Sequence, residues 1–372
     1  MPHRTWRRCR RHCARYWRIS VMREETDTAP LDLPADLTAV YPWQEDIWQQ
    51  WQARCNTDAV PHAVLLSGDA GIGKAHLALS MAAHLLCSDR EHAPCGQCPE
   101  CRFLQAGTHA DFHYLQPGGD SKWIRIDQIR EVIDALNLTA QRGRYKVAIL
   151  APADSLNTAA ANALLKTLEE PSADTVLFLV SARPARLPAT IRSRCQQLAL
   201  ATPQRAAALA WLATQAESAT LDAREREQLL DLAAGAPLRA LALAREGGLA
   251  ARVAAFEAFA GLARGKGISP VSVAAEWGKE GLDTALFWLY GWVHDLILLR
   301  QLGGDIAAPA LRNRDLAGAL QGLANPLDLK ALHDWLGRIR GARRFVSSSV
   351  NAGTVVEDLL LDWVKVSAPH RR

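Results

Sequence analysis

The sequence has no uncharged apolar run that approaches 18 residues, although 49% of its 372 residues are hydrophobic. Because a membrane-spanning helix needs about 18 such residues, the sequence predicts no membrane span. The hydrophobic share and the 22% share of charged residues are typical of globular proteins, which excludes an extensively disordered or fibrous chain. At about 150 residues per domain, the length predicts two to three domains.

Acidic residues are absent from residues 1–23, which hold eight arginines. The whole chain has a formal net charge of +4, so residues 24–372 have a net charge of −4. The segment lacks the apolar core of a secretory signal, and it is either a disordered basic arm or sequence upstream of a true start at Met22. The net negative body gives no reason to expect general nucleic-acid binding.

Short apolar runs alternate with segments of helical periodicity between residues 41 and 200. The runs predict strands at 62–67, 146–150 and 175–180. The periodic segments predict helices at 44–55, 74–86, 126–138 and 155–168, with Ile47, Trp48 and Trp51 as core residues of the first. This alternation is typical of a parallel sheet covered by helices on both faces.

Beyond Leu200 the sequence is rich in Ala and Leu and predicts helices alone. Thr202-Pro203 indicates the start of the first of these helices. Gly247-Gly248 indicates a helix stop and a linker, after which a second helical unit includes helices at 282–302 and 355–366. The fold class is therefore α/β followed by all-α.

A glycine-rich segment directly follows the first predicted strand and precedes a predicted helix. Residues 68–75 read Gly-Asp-Ala-Gly-Ile-Gly-Lys-Ala and match the Gly-x4-Gly-Lys part of a phosphate-binding loop. The glycines let backbone N–H groups face phosphate oxygens, the helix N-terminus adds a positive dipole, and the lysine reaches the terminal phosphates. The candidate phosphate-binding residues are Gly68, Gly71, Gly73 and Lys74.

Two groups that ATP hydrolysis requires are missing from this loop and its surroundings. Active enzymes carry a Ser or Thr hydroxyl after the lysine as a magnesium ligand, and here the residue is Ala75. The strand at 146–150 is followed by Ala151-Pro152 instead of an aspartate. We interpret Asp154, three residues beyond that place, as the cap of a helix that starts at Ser155. The sequence predicts no hydrolysis and leaves nucleotide binding without turnover open.

Four of the eight cysteines fall within fifteen positions: Cys87, Cys95, Cys98 and Cys101. Four thiolates are the usual ligands of a closed, tetrahedral, structural zinc ion. The main alternative is an iron–sulfur cluster, but the final Cys-x3-Cys-Pro step of the ferredoxin pattern is absent. We expect the nearby His84, His92 and His109 to be helical or solvated residues and not ligands. The other cysteines are scattered, which indicates a reduced cytoplasmic chain.

Several further motifs stand in a fixed order around these two sites. They are Tyr41-Pro42-Trp43, the sequence QAGTHAD at 105–111, the sequence ANALLKTLEEP at 161–171, and Ser193-Arg194-Cys195. Together with the four-cysteine insert after the phosphate-loop helix, they resemble the delta-prime family of bacterial DNA polymerase III clamp-loader subunits. The resemblance covers residues 40–245 by motif and continues more weakly to the end.

The resemblance implies a fold and a role. The fold would be a RecA-like AAA+ module with a zinc-binding insert, a small helical lid and a helical collar. The role would be a non-hydrolysing stator in a cytoplasmic hetero-pentamer with motor (gamma/tau) and delta subunits, which loads the sliding clamp onto primer-template DNA for the DNA-directed DNA polymerase III holoenzyme. Ala75, Ala151 and Pro152 place the chain with delta-prime and not with the motor subunit.

The resemblance also implies roles for two arginines. In the family, the arginine of the Ser-Arg-Cys motif, here Arg194, projects across the subunit boundary to the γ-phosphate of ATP bound by the neighbour. Arg239 resembles the lid arginine that senses nucleotide in active relatives, although a plain helix-surface position fits the sequence equally well.

Four segments follow from this interpretation. They are a basic, disordered extension (1–39), the AAA+ module (40–201) with its zinc insert (87–101), the lid (202–248) and the collar (249–372).

The sequence leaves two functional alternatives to the stator role. An active motor ATPase is opposed by Ala75 and by Ala151-Pro152. A zinc-dependent nucleic-acid-binding module is opposed by the negative body and by the lack of interleaved basic and aromatic residues near the cysteines.

Overall fold

Five parallel strands form the central sheet of the computed structural model, which describes residues 36–118, 121, 123–245, 247–302, 311–346 and 350–368. They are β1 (Ala63–Ser67), β2 (Phe112–Leu115), β3 (Lys146–Leu150), β4 (Thr175–Ser181) and β5 (Gln196–Ala199). Their order across the sheet is β2-β3-β4-β1-β5, and every neighbouring pair is parallel. The carboxyl ends of all five strands therefore lie at one edge, where ligand sites of such sheets are usually built.

Six helices cover the two faces of this sheet. They are α1 (Glu45–Asn56), α2 (Lys74–Leu86), α3 (Pro99–Gln105), α4 (Ile126–Asn137), α5 (Thr158–Glu169) and α6 (Ala189–Arg192). Successive strand residues point to opposite faces, so Val64 packs with α1, α2 and α3 while Leu65 packs with α4, α5 and α6. Strands that are apolar on both faces are buried on both faces, as the continuous apolar runs predict.

Nine further helices follow the last strand in the part of the chain that the structure describes. Three of them share one small core: α7 (Arg205–Thr214), α8 (Ala223–Leu232) and α9 (Pro237–Arg245). The other six share a larger core: α10 (Gly248–Ala263), α11 (Pro270–Glu280), α12 (Leu282–Gln301), α13 (Ala317–Ala324), α14 (Leu329–Ala342) and α15 (Ala352–Ser367). The predicted fold class, a parallel α/β sheet followed by helices, is confirmed.

Stacked aromatic rings fill the centre of the larger helical core. The Phe259 ring centre lies 4.3 Å from the Trp363 ring centre, and the Trp363 ring centre lies 4.8 Å from that of Trp335, with the two rings of each pair nearly parallel. Helix α12 is long and apolar enough to cross a membrane by length and composition, but 67% of its apolar window is buried inside this core. Burial of this extent is what a core helix of a helical domain shows.

The structure departs from the sequence predictions at several positions. Strands β2 and β5 and helix α3 were not predicted from the sequence. The first helix after the sheet begins at Arg205 and not at Thr202-Pro203. The predicted linker at Gly247-Gly248 is shorter than expected, because Gly248 is already the first residue of α10. Leu37 is 2% exposed and packs with the core of the sheet, so packed structure begins before the predicted boundary at residue 40. The predictions for residues 1–23 lie outside the described residues.

Candidate functional site

The phosphate loop connects β1 to α2 at the carboxyl edge of the sheet, as predicted. Gly68, Gly71 and Gly73 have φ angles of 144°, 84° and 86°, which only glycine adopts readily. Each is also tightly surrounded: a Cβ at Gly68 would lie 2.3 Å from the Leu200 carbonyl oxygen, and one at Gly73 would lie 2.5 Å from the Tyr41 ring. Both backbone conformation and space therefore require glycine in this loop.

Side chains from the Tyr-Pro-Trp segment hold the loop from one side. Trp43 Nε1 and Gln44 Nε2 each donate a hydrogen bond to the Ile72 carbonyl oxygen at 2.9 Å. The Tyr41 and Trp43 rings are stacked at 5.0 Å, and Trp211 of α7 meets both edge-on at 5.4 Å. These contacts explain why the motif accompanies the loop: its side chains bind the loop's own backbone.

Lys74 is directed back into the loop. Its side chain is nearly buried, and Nζ donates to the Asp69 carbonyl oxygen at 2.5 Å. Burial lowers the pKa of the ammonium group, and the charges of Asp154 and Asp69 partly oppose this effect. Asp69 itself is held by a hydrogen bond from Thr202 Oγ1 to Oδ2 at 2.8 Å. The loop therefore has the shape of a phosphate cradle, with its lysine bound by its own backbone.

The positions where active enzymes bind magnesium carry no ligand side chain here. Ala75 follows the lysine, and buried Ala151 follows β3. Asp154 does not cap the next helix, as the sequence had suggested, because α5 starts at Thr158 and Asn157 caps it by accepting from Ala160 N. The Asp154 carboxylate instead accepts hydrogen bonds from Ser181 Oγ and from the backbone N–H groups of residues 182 and 183. Asp154 therefore fixes the loop after β4.

Arg239 of α9 lies between the phosphate loop and the large helical core. A Cβ at Gly71 would lie 2.9 Å from the Arg239 Cβ, and Leu238 N donates to the Gly71 carbonyl oxygen at 3.0 Å. The guanidinium group points the other way, with Cζ 3.9 Å from the centre of the Phe287 ring on α12. Burial lowers the pKa of Arg239, opposed by the nearby Asp283 charge. The residue is thus neither a plain surface residue nor directed into the loop.

The four clustered cysteines converge on one point between α2 and α3. All four Sγ atoms lie within 4.8 Å of one another, and Cys87 Sγ is 3.8 Å from Cys98 Sγ. Four sulfurs at about 2.3 Å from a single tetrahedral ion would be about 3.8 Å apart, whereas an iron–sulfur cluster spreads its cysteines over several iron atoms. The donor set therefore fits one tetrahedral metal ion.

Backbone N–H groups support the sulfurs. Cys98 N lies 3.3 Å from Cys95 Sγ, and Cys101 N lies 3.4 Å from Cys98 Sγ. Burial raises the pKa of the Cys98 thiol, but hydrogen bonds from Ser88 and Cys101 outweigh it and lower the pKa to about 6. Burial raises the pKa of Cys87 and Cys101. Hydrogen bonds that stabilise a thiolate favour metal binding over protonation.

A polar network, buried at Glu100, His109 and Asp111, attaches the insert to the sheet. Arg142 donates to both carboxylate oxygens of Glu100, which lies between Cys98 and Cys101, and its guanidinium group lies 4.3 Å from the Phe103 ring. His109 Nε2 lies 3.2 Å from Glu100, and Asp111 accepts from two backbone N–H groups before β3.

The three histidines near the cysteines have different surroundings. His109 is buried within the polar network, so it is neither helical nor solvated, contrary to the sequence-based expectation. His84 is helical and His92 is exposed, as expected.

Arg194 lies in the short connection between α6 and β5. Its Nη2 lies 2.6 Å from Glu169 Oε1, and its Nη1 donates to the Thr190 carbonyl oxygen at 3.0 Å. The Arg194 side chain is 35% exposed and the Glu169 side chain 49% exposed. Arg194 was predicted from the sequence as a site residue, whereas Glu169 was not, although Glu169 belongs to the ANALLKTLEEP motif. The pair lies at the end of α5 and just before β5. Because β5 runs parallel to β1, this is the edge of the sheet opposite the phosphate loop, which follows the carboxyl end of β1.

Comparisons with known proteins give the family. The family profile described as DNA polymerase III, delta subunit, matches residues 43–204, and a second profile, for the C-terminal part of the delta subunit, matches residues 246–365. The chain is 38% identical to the DNA polymerase III subunit delta′ of Pseudomonas aeruginosa over 89% of this chain and 99% of that protein. It is 35% identical to the subunit delta′ of Escherichia coli K12 over 86% and 94% of the two chains.

Two further similarities are more limited. The Escherichia coli DNA polymerase III subunit tau is 36% identical over 38% of this chain and 22% of that protein. A crystal structure of a DNA polymerase III gamma subunit-related protein from Thermotoga maritima aligns with a TM-score of 0.43 at 16% identity, over 86% and 99% of the two chains. By its delta′ relatives and both family profiles, the chain belongs to the DNA polymerase III delta-prime family.

Proposed function

We propose that the chain is the delta-prime subunit of a DNA polymerase III clamp loader, where it acts as a non-hydrolysing stator that helps to load the sliding clamp onto primed DNA during replication. The observation that carries this proposal is a fully formed phosphate loop whose magnesium-binding positions are Ala75 and Ala151. The partners would be motor (gamma/tau) and delta subunits in a cytoplasmic hetero-pentamer, with the clamp and primer-template DNA bound through the complex. The alternative, an active motor subunit, is disfavoured by the same two alanines.

The contribution of this chain to hydrolysis would be made in trans. Arg194 is partly exposed, remote from its own phosphate loop, and carries a planar guanidinium group with a permanent charge. These properties suit stabilisation of the charge that develops on a γ-phosphate bound by a neighbouring subunit.

A single zinc ion would be held by Cys87, Cys95, Cys98 and Cys101. The sulfur spacing and the N–H support favour one tetrahedral ion, and four protein ligands leave no position for a reacting water. The role of the ion would be structural. It would stabilise the insert that the Glu100–Arg142 pair attaches to the sheet.

The in-trans role is tested in a clamp loader reconstituted with motor and delta subunits. We expect Arg194→Ala to leave assembly and metal content unchanged and to slow the clamp- and DNA-stimulated ATPase by roughly one third or more. An arginine finger raises the rate of hydrolysis at its own ATP site by about 10³–10⁵-fold. The other ATP sites of the ring keep their own fingers, so the loss in the total rate is smaller. Arg194→Lys should also be slow, because an ammonium group cannot present a planar fork.

Arg186→Ala is the charge-matched control, since it removes an equal charge from an exposed position in the turn between β4 and α6. If the Arg194→Ala complex loads clamps at the unmodified rate, Arg194 is not a finger. If Arg186→Ala slows the ATPase equally, the effect reports a loss of positive charge and not the finger geometry.

The isolated chain should hydrolyse no ATP above background, because neither expected side chain is present to hold magnesium. A steady-state assay with clamp and primed DNA measures this. Turnover that disappears in a Lys74→Ala variant would place an active site in this loop and would contradict the stator proposal. Equilibrium binding of ATP to the wild-type chain and to the Lys74→Ala variant tests whether the loop binds nucleotide without hydrolysing it.

A further inference from the structure

Glu169 is the acidic side chain with which Arg194 forms an ion pair. The pair joins the end of α5 to the residue that follows α6 by a contact of 2.6 Å, and a second guanidinium nitrogen donates to the Thr190 carbonyl oxygen. The guanidinium group is therefore held against its own chain. A group that must reach a phosphate on another subunit has to exchange this carboxylate for that phosphate.

The position of Glu169 is unfavourable for its own helix. Glu169 is the last residue of α5, and Glu170 follows it as the C-cap. Negative charges at a helix C-terminus are repelled by the partial negative charge of the helix dipole. Helix stability therefore does not account for a carboxylate at this position. The neighbouring positive charge of Arg194 offsets the unfavourable interaction of the carboxylate with the helix dipole.

The exposure of the pair makes the exchange easy. With side chains 35% and 49% exposed, both groups remain largely hydrated. Exposed ion pairs of this kind shift equilibria by roughly two- to fivefold. A γ-phosphate offers more negative charge and a bidentate set of oxygens, to which arginine binds more strongly than to a single carboxylate oxygen.

From these observations we propose that Glu169 is the resting partner of Arg194. It holds the guanidinium group on its own subunit until the γ-phosphate of a neighbouring subunit displaces the carboxylate. This inference rests on the proposed in-trans function of Arg194. It adds a contact that competes with the γ-phosphate for the guanidinium group.

The test compares reconstituted complexes that carry Glu169→Gln or Glu170→Gln. Glu170→Gln is the matched control, because it removes the same charge from the adjacent, exposed position of the same helix end. We expect Glu169→Gln to raise the ATPase rate measured without clamp and DNA by about two- to fivefold. The ratio of the rate with clamp and DNA to the rate without them should therefore be smaller than in the wild-type complex. Glu170→Gln should leave both rates unchanged.

The double variant Glu169→Gln/Arg194→Ala assigns the effect to the pair. Its unstimulated ATPase should equal that of Arg194→Ala, because the carboxylate can act only through the guanidinium group. An unstimulated rate in Glu169→Gln that is unchanged, or lowered as in Arg194→Ala, would overturn the resting-partner role. A normal stimulated rate in Arg194→Ala would instead overturn the finger itself, so the two failures are distinguishable.

Discussion

Single residues decide what the phosphate loop can do. The three glycines could be assigned from the sequence because positive φ angles and close neighbours leave no alternative at those positions. The contact of Asp154 could not be predicted from the sequence, because its partner Ser181 is 27 residues away in the chain. A local pattern shows that an acidic residue stands near a helix start, but not that a distant loop offers it three donors.

His84 illustrates a residue whose ionisation is controlled by its surroundings. It lies in the last turn of α2, buried and edge-on to the Trp48 ring at 5.5 Å. Burial, helped by the Arg90 charge, lowers the pKa of His84 to about 4. The unfolded chain binds a proton on this side chain at pH values below its ordinary pKa of about 6.5, whereas the folded chain does not until about pH 4.

Stability should therefore fall as the pH is lowered from about 6.5 toward 4. We expect His84 to reduce the free energy of unfolding by about 1–2 kcal/mol between about pH 7 and about pH 5. Replacing His84 by Phe should remove this part of the pH dependence in thermal unfolding curves, while His92→Phe, at an exposed position, should not. Parallel pH profiles for wild-type and His84→Phe proteins would show that His84 titrates normally.

At the scale of secondary structure, buried and periodic elements were predictable. The predicted bounds of α2 and β3 are the observed ones, because β3 is apolar throughout after Lys146 and α2 follows the phosphate loop directly. The missed strands β2 and β5 have four residues each and lie at the two edges of the sheet. An edge strand pairs on one side only, so its sequence need not be apolar throughout, and β5 alternates between half-buried and exposed residues.

The cysteine insert is a second element-scale feature, and its stability should depend on the metal. We expect about one zinc ion per chain in the purified protein. Cys98→Ser should lower the metal content and expose the insert to proteolysis, because the three remaining thiolates bind zinc more weakly. Elemental analysis and limited proteolysis measure the two effects.

Cys55→Ser is the control for this experiment. Cys55 is a free, half-buried cysteine outside the cluster, and its burial raises the pKa of the thiol to about 12. Its replacement should leave the zinc content unchanged. Iron in the wild-type protein, or full zinc content in a Cys98→Ser/Cys101→Ser variant, would contradict the assignment.

On the scale of the whole molecule, the two helical units and the sheet meet around the phosphate loop. Leu238 and Arg239 bring α9 against Gly71, and the Arg239 guanidinium group packs on Phe287 of α12. Arg314, which follows α12, lies 3.3 Å from Asp231 of α8. A residue that could be predicted as a nucleotide sensor thus connects the small helical unit to the large one.

We therefore expect Phe287→Leu to loosen the junction between the two helical units without unfolding either. Leucine keeps most of the apolar contact of Phe287 but removes the ring face on which the guanidinium group lies, an interaction worth about 0.5–2 kcal/mol. Hydrogen exchange should become faster in α9 by about two- to thirtyfold, the range that this energy implies, while the amides of β1, β3 and β4 stay protected.

A double-mutant comparison separates this contact from general loosening of the core. Arg239→Met keeps an apolar stem against Gly71 and removes the charge, so it should accelerate exchange in α9 to a similar extent. Since both substitutions break one interaction, the Arg239→Met/Phe287→Leu protein should be little different from either single variant. If the effects of the two substitutions on the exchange rates in α9 are additive, the two side chains stabilise the junction independently. The contact between the Arg239 guanidinium group and the Phe287 ring would then not couple the two units.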